Sequence, residues 1–171
     1  KLITAYDQPA LGAVYKIVSM EDDQGVMHDT IKLSNNAEKV STPGKKQVWR
    51  ITSRAKGKSE GDYITFADTD VNALEEINMF HPTYTYINKT VRDFDAVPLL
   101  VPIYDKGQLI YELPSLDEIK AYATKELDEL WNEYKRVLNP QDYPVDLAKD
   151  VWDNKMTLID NVRKKAHDLS E

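Results

Sequence analysis

Seven cations and no acid fall between Lys39 and Lys58 (Lys39, Lys45, Lys46, Arg50, Arg54, Lys56 and Lys58), in a chain whose formal charge is −7. A lysine ammonium is a mobile point charge that suits phosphate oxygens, and the Pro43-Gly44 turn inside the stretch can bring backbone N–H groups to the same anion. Lys16 and Lys32 precede it on extended segments and can face the same surface. One reading of this segregation is a polyphosphate site. Another is a solvated hairpin whose lysines keep a sheet edge from pairing with a neighbour. A nucleic-acid surface is a third, weakened because Trp49 is the one aromatic in the stretch, where base stacking needs several.

Other signals are bland. The chain has no cysteine, which removes disulfides, thiolate zinc sites and cysteine nucleophiles. His28, His81 and His167 have no metal-ligand spacing. His81, in Phe80-His81-Pro82, reads as packing, and His167 falls where a helix C-terminus favours positive charge. Glu21-Asp22-Asp23 reads as a plain turn, and Asp68-x-Asp70 lacks the remaining ligands and the glycine of a calcium loop. Trp131 and Trp152 read as core anchors. The sequence therefore names no catalytic residue and no metal ligand.

The elements that position these residues change character along the chain. β-Branched and aromatic residues predict a strand over Ala13 to Glu21, closed by the Glu21 to Gly25 turn and followed by an extended run at Asp29 to Leu33. After a loop at Ser34 to Glu38, strands are expected at Val48 to Thr52 and Tyr63 to Phe66. A short helix is expected over Asp70 to Met79, and further strands at Tyr84 to Ile87, Val97 to Tyr104 and Leu109 to Leu113. Pro98 and Pro102 place the second of these at a sheet edge, and Asp105-Lys106-Gly107 turns it into the third. At Ser115 a capping box with Glu118 opens a helix over 115–138 whose inner face runs from Ile119 through Leu130, Trp131 and Tyr134 to Leu138. Asn139-Pro140 stops it, and Asp146 caps a second helix over 146–168. The expectation is an α+β chain, with a β-rich N-terminal part followed by a C-terminal antiparallel helical pair.

A length of 171 residues, 42% of them hydrophobic, suffices for one compact domain or for one domain with a piece of another. The excess of acids argues against a nucleic-acid coat or a basic membrane-surface module. No apolar run approaches the ~20 residues of a membrane span and no charged-then-apolar leader is present, so a cytoplasmic location is expected. The chain starts at Lys1 and enters Leu2-Ile3-Thr4 as if in mid-element.

Several segments together resemble one family. Tyr6-Asp7-Gln8-Pro9-Ala10-Leu11-Gly12-Ala13-Val14-Tyr15-Lys16 is similar to the segment that follows a glycine-rich phosphate-binding turn in nicotinate phosphoribosyltransferases. The similarity continues through Ile31-Lys32-Leu33-Ser34, Glu38-Lys39-Val40-Ser41-Thr42-Pro43-Gly44-Lys45-Lys46, Val48-Trp49-Arg50-Ile51, Met79-Phe80-His81-Pro82 and the run from Tyr111 to Ile119. The resemblance implies the C-terminal part of an enzyme that joins nicotinate to phosphoribosyl pyrophosphate in NAD salvage. ATP hydrolysis is coupled through a phosphorylated histidine, and Mg²⁺ supports the pyrophosphate. It assigns phosphate contacts, possibly reaching a partner subunit in a head-to-tail dimer, to Lys16, Lys32 and Lys39, and leaves Lys45, Lys46 and Arg50 as weaker candidates. It implies that residues 1–54 continue a barrel domain and residues 55–171 form the family's C-terminal domain. On this reading the pyridine pocket and the histidine lie upstream, so the isolated chain binds no cofactor and does not catalyse the reaction. Its partners are the remainder of the parent enzyme and a second copy, with neither nucleic acid nor membrane.

Overall fold

The computed structural model describes residues 14–36 and 39–168. The expectations for Lys1 to Ala13, and for Glu38 in the basic motif, lie outside them. The first described structure is a small hairpin, β1 (Ser19–Glu21) paired antiparallel with β2 (Met27–Asp29). Asp22 closes its turn by accepting the backbone N–H groups of Gln24 and Val26, each at 2.9 Å, while its other oxygen meets His28 Nε2 at 2.6 Å. The strand expected from Ala13 is therefore confined to three residues, and the side chains of Val14, Tyr15 and Ile17 stand in solvent. Beyond Ser19 the backbone has no ladder to join: the Val18 carbonyl instead accepts from both Thr30 and Gly44.

The core is built where the sequence alternates. In β3 (Lys46–Ser53) and β4 (Lys58–Phe66), every second residue turns inward, placing Trp49, Ile51, Ser59, Tyr63 and Thr65 on one buried face. The Trp49 indole N–H donates to Thr65 Oγ1 at 3.0 Å, so the ring is buried without an unsatisfied donor. Glu60 is an extra residue opposite the Ile51/Thr52 step, and Gly61 beside it has φ +132°. A Cβ there would lie 2.9 Å from the Pro144 carbonyl oxygen, so the close approach of the chain at Pro144 requires glycine.

β5 (Glu76–Phe80), β6 (Asn88–Arg92) and β7 (Phe94–Pro98) extend the sheet. Here three expectations are corrected. Asp70 does cap a helical turn, accepting the Asn72 N–H, but that turn is a single 3-10 turn at Val71–Ala73. Leu74 is extended, and Ile77 and Met79 alternate with exposed Glu76 and Asn78 as β5. Pairing with two neighbours outweighed the local helical pattern. Tyr84 to Ile87 is a turn rather than a strand; the strand starts one residue later. The strand expected over Val97 to Tyr104 does not form: β7 lies at the sheet edge but ends at Pro98, and residues 99–103 are not in a strand. The Asp105-Lys106-Gly107 hairpin does form, between β8 (Tyr104–Asp105) and β9 (Gln108–Leu109).

The capping box opens α1 (Leu116–Glu129), with Ser115 Oγ accepting the Glu118 N–H at 3.3 Å and the Glu118 carboxylate accepting the Ser115 N–H at 2.7 Å. The helix ends well before residue 138. Leu130 is extended, and the Trp131 indole donates to the Ser59 carbonyl at 2.9 Å, so Trp131 serves a contact with the sheet rather than another helical turn, while Leu138 stands in solvent. Asp146 is not a cap. It lies in β10 (Val145–Leu147), which inserts between β5 and β4, parallel to β4, and only then does α2 (Lys149–Asp168) begin. The sheet order is β6-β5-β10-β4-β3-β7, with α2 set on it through buried Val151. The architecture is α+β, as expected: among the described residues, a mixed six-stranded sheet, small hairpins and two α-helices.

Candidate functional site

The basic stretch is bent into two parts with different fates. At Pro43-Gly44 the chain turns with Gly44 at φ +88°, where a Cβ would meet the Phe66 ring at 2.6 Å and the Asp29 carboxylate at 3.0 Å. The Gly44 N–H donates to the Val18 carbonyl at 2.8 Å, tying the turn to the β1–β2 hairpin. Lys46 folds back over the same turn and donates to the carbonyls of Thr42 (2.7 Å), Pro43 (3.2 Å) and Gly44. Three donors thus meet three acceptors. Burial pushes the Lys46 ammonium below the usual lysine value, with the Asp29 carboxylate opposing that shift.

Arg50 is equally committed. It lies directly opposite Asp62 in the β3–β4 register and binds it through two nitrogens, at 3.0 and 3.2 Å. It also donates to Glu126 of α1 and lies 5.9 Å from the centre of the Tyr143 ring. Hydrogen bonding to Asp62 raises its pKa further above the normal arginine range, so it is a permanent cation. Arg54 pairs with Asp95 and Asp93, and Lys56 lies 5.2 Å from the centre of the Trp131 ring. The network around Arg50 (Asp62, Glu126 and Tyr143, the last also hydrogen-bonded to Ser59) was not singled out from the sequence. Its one available signal was the hairpin register, which places Arg50 opposite Asp62 once the turn is centred near Gly57.

The other lysines make different contacts. The Lys16 ammonium donates to the backbone carbonyl of Lys39. Lys32 is stitched to Ser41, its N–H donating to Ser41 Oγ at 2.8 Å and its carbonyl accepting the Ser41 N–H at 3.3 Å. Lys16, Lys32 and Lys39, far apart in sequence, are exposed and joined through these contacts at residues 39–41. Among the described residues, the ammonium groups of Lys32, Lys39 and Lys45 have no hydrogen-bond or ion-pair partner. Lys45 is exposed beside Asp29, Phe66 and Asp68. Unpaired ammonium groups can receive an anion, whereas Lys46 and Arg50 already have their acceptors.

Among the described residues no three metal-ligating side chains stand together, and no helix is long and apolar enough to cross a membrane. Fold and site define an α+β domain with a lysine-rich edge set apart from its ion-paired sheet. Residues 45–155 match the family described as "Nicotinate phosphoribosyltransferase C-terminal domain". The chain is 51% identical over its whole length to a nicotinate phosphoribosyltransferase of Bacillus subtilis, of which it covers 35%. It is 32% identical over 86% of its length to a human nicotinate phosphoribosyltransferase, of which it covers 26%. The crystal structure of human nicotinic acid phosphoribosyltransferase superposes on 70% of this chain with a TM-score of 0.62 at 28% identity, and the chain covers 24% of that structure. The chain spans about a third or less of the length of these relatives. It belongs to the nicotinate phosphoribosyltransferase C-terminal domain family.

Proposed function

We propose that this chain is the C-terminal part of an enzyme that makes nicotinate mononucleotide from nicotinate and phosphoribosyl pyrophosphate, with ATP hydrolysis, in cytoplasmic NAD salvage. Its contribution is a phosphate-holding edge made by Lys16, Lys32 and Lys39, acting in the parent's own site or in that of a partner subunit. The observation that supports this reading is the bond of the Lys16 ammonium to the Lys39 carbonyl and of the Lys32 N–H to Ser41, which ties the three exposed lysines to one stretch of chain. Their part is electrostatic: they orient phosphate groups and balance their charge, while the nucleotide pocket, the phosphorylated histidine, ATP and Mg²⁺ belong to the parent. The described residues gather no cluster of three metal-ligating side chains.

Two further observations support this reading. Trp49 is buried with its indole satisfied, which disfavours base stacking in the basic stretch. The segment from Leu100 to Leu127 carries many half-exposed apolar side chains, among them Leu113, Leu116, Ile119 and Tyr122, a surface suited to the remainder of the parent or to a second copy. The test is made in the full-length parent, replacing Lys16, Lys32 and Lys39 singly by alanine and measuring saturation by phosphoribosyl pyrophosphate and ATP. At least one variant should require about tenfold more of one substrate. Three variants with parental saturation curves would leave the lysines a solubility role only.

A further inference from the structure

Alternation in β3 sends Trp49 and Ile51 into the core and turns Arg50 and Thr52 to the other face of the sheet, which α1 crosses. The helix is not packed into that face. None of its fourteen residues is buried, and Leu116, Ile119, Tyr122 and Leu127 are 49–65% exposed. A cleft of about 390 Å³ separates it from β3 and β7, with Arg50, Thr52, Val97, Tyr122 and Glu126 in its lining. Two polar ties join α1 to the sheet: Glu126 accepts from Arg50, and the Asp128 carbonyl accepts from the Lys58 ammonium at 2.5 Å.

The chain is pinned on both sides of this arm. Before it, Leu99 donates to the Val48 carbonyl at 2.8 Å, and Leu100 exchanges two bonds with the Gln47 carboxamide, each at 3.0 Å. After it, the Trp131 indole is held by the Ser59 carbonyl. Among the described residues, 101–115 form no hydrogen bond to the six-stranded sheet; the β8–β9 hairpin pairs with itself, and Ser115 bonds within α1. Elements with few buried contacts open at lower free energy than the core that carries them. We propose that α1 is a hinged lid on the outer face of the sheet. With the 101–115 strap it leaves the sheet as one unit, between the pins at Leu100 and Trp131, while the sheet stays folded. Release opens the cleft and frees the Arg50 nitrogen that Glu126 holds, whereas both bonds from Arg50 to Asp62 remain.

The test is native-state hydrogen exchange of the ¹⁵N-labelled chain at urea concentrations below its unfolding transition. Off the sheet a helix of this length is marginal in water, so release exposes its amides to exchange. The interior amides of α1 should share one protection factor, at least about a hundredfold below that of Ile51 and Tyr63 in the core. They should also share one urea dependence, shallower than that of the core, because opening the lid uncovers less surface than unfolding. Glu126→Gln, which replaces a charged acceptor by a neutral one, should speed their exchange about tenfold. Amides of α1 that exchange with the protection and urea dependence of Ile51 would overturn the proposal. So would rates that merely fade inwards from the helix ends, which is fraying rather than release, or exchange that Glu126→Gln leaves unmoved. If that variant fails to fold, the protection factors and urea dependences of the unaltered chain decide the matter.

Discussion

Replacing Arg50 by methionine separates a phosphate ligand from a structural tie. The guanidinium is 24% exposed, and its partners Asp62 and Glu126 are 13% and 19% exposed, so the substitution strands two carboxylates that water reaches only in part. Breaking a fully buried pair costs about 3–5 kcal/mol, and partial hydration here reduces this to about 2–3 kcal/mol. At ~2–4 °C per kcal/mol for a chain of this size, the thermal midpoint should fall by about 4–12 °C. Lysine should restore less than half, because a point charge cannot reproduce two parallel bonds to Asp62. The assay is urea unfolding of the parent chain and both variants at equal denaturant slope. Hydrogen exchange should show faster opening of α1, which Arg50 joins to the sheet through Glu126. An Arg50→Met chain within about 0.5 kcal/mol of the parent, the range of ordinary surface changes, would refute the reasoning.

Other consequences can be checked with the same measurements. Lys46→Met should cost about 1–3 kcal/mol, because the Thr42, Pro43 and Gly44 carbonyls lose a shared donor, whereas Lys45→Ala should stay within about 0.5 kcal/mol; equal costs would contradict the division of the basic stretch. Gly61→Ala should cost about 2–3 kcal/mol, since it combines φ +132° with a Cβ against the Pro144 carbonyl, and a neutral result would mean that the chain at Pro144 yields. Asp146 has a folded pKa raised by burial, so its ionisation opposes folding above that value. As pH falls through this raised value towards the ordinary aspartate value of about 3.9, the parent should therefore gain stability relative to Asp146→Asn; a constant difference in urea midpoint would dismiss the effect. The difference between the two chains isolates Asp146 from groups of opposite sign such as Asp22, whose carboxyl the His28 hydrogen bond holds low.

What the sequence made legible was local or strictly periodic. β3, β4 and the Ser115–Glu118 box depend on alternation and on a short-range cap, and both appear where the residues place them. The misses came from contacts made far along the chain. β10 is three residues long and takes its strand character from β4 and β5 on either side, so Asp146 looked like a helix cap. Trp131 kept the helical spacing of α1 but is drawn to Ser59, far away in sequence. The phosphate role given to Lys16, Lys32 and Lys39 came from family resemblance, and nothing in their spacing tells that Lys16 reaches the Lys39 carbonyl. Charge count alone gave Lys46 and Arg50 the same standing as Lys39. Only the positions of the three turn carbonyls, Asp62 and Glu126 separate them.

The central claim is that the edge formed by Lys16, Lys32 and Lys39 holds phosphate groups, and equilibrium binding of pyrophosphate to the full-length parent tests it most directly. Calorimetric titration of the parent and of a variant with all three lysines changed to alanine, at one fixed salt concentration, should show affinity lowered by at least about tenfold in the variant. An unchanged affinity in a variant that unfolds at the parental temperature would contradict the account.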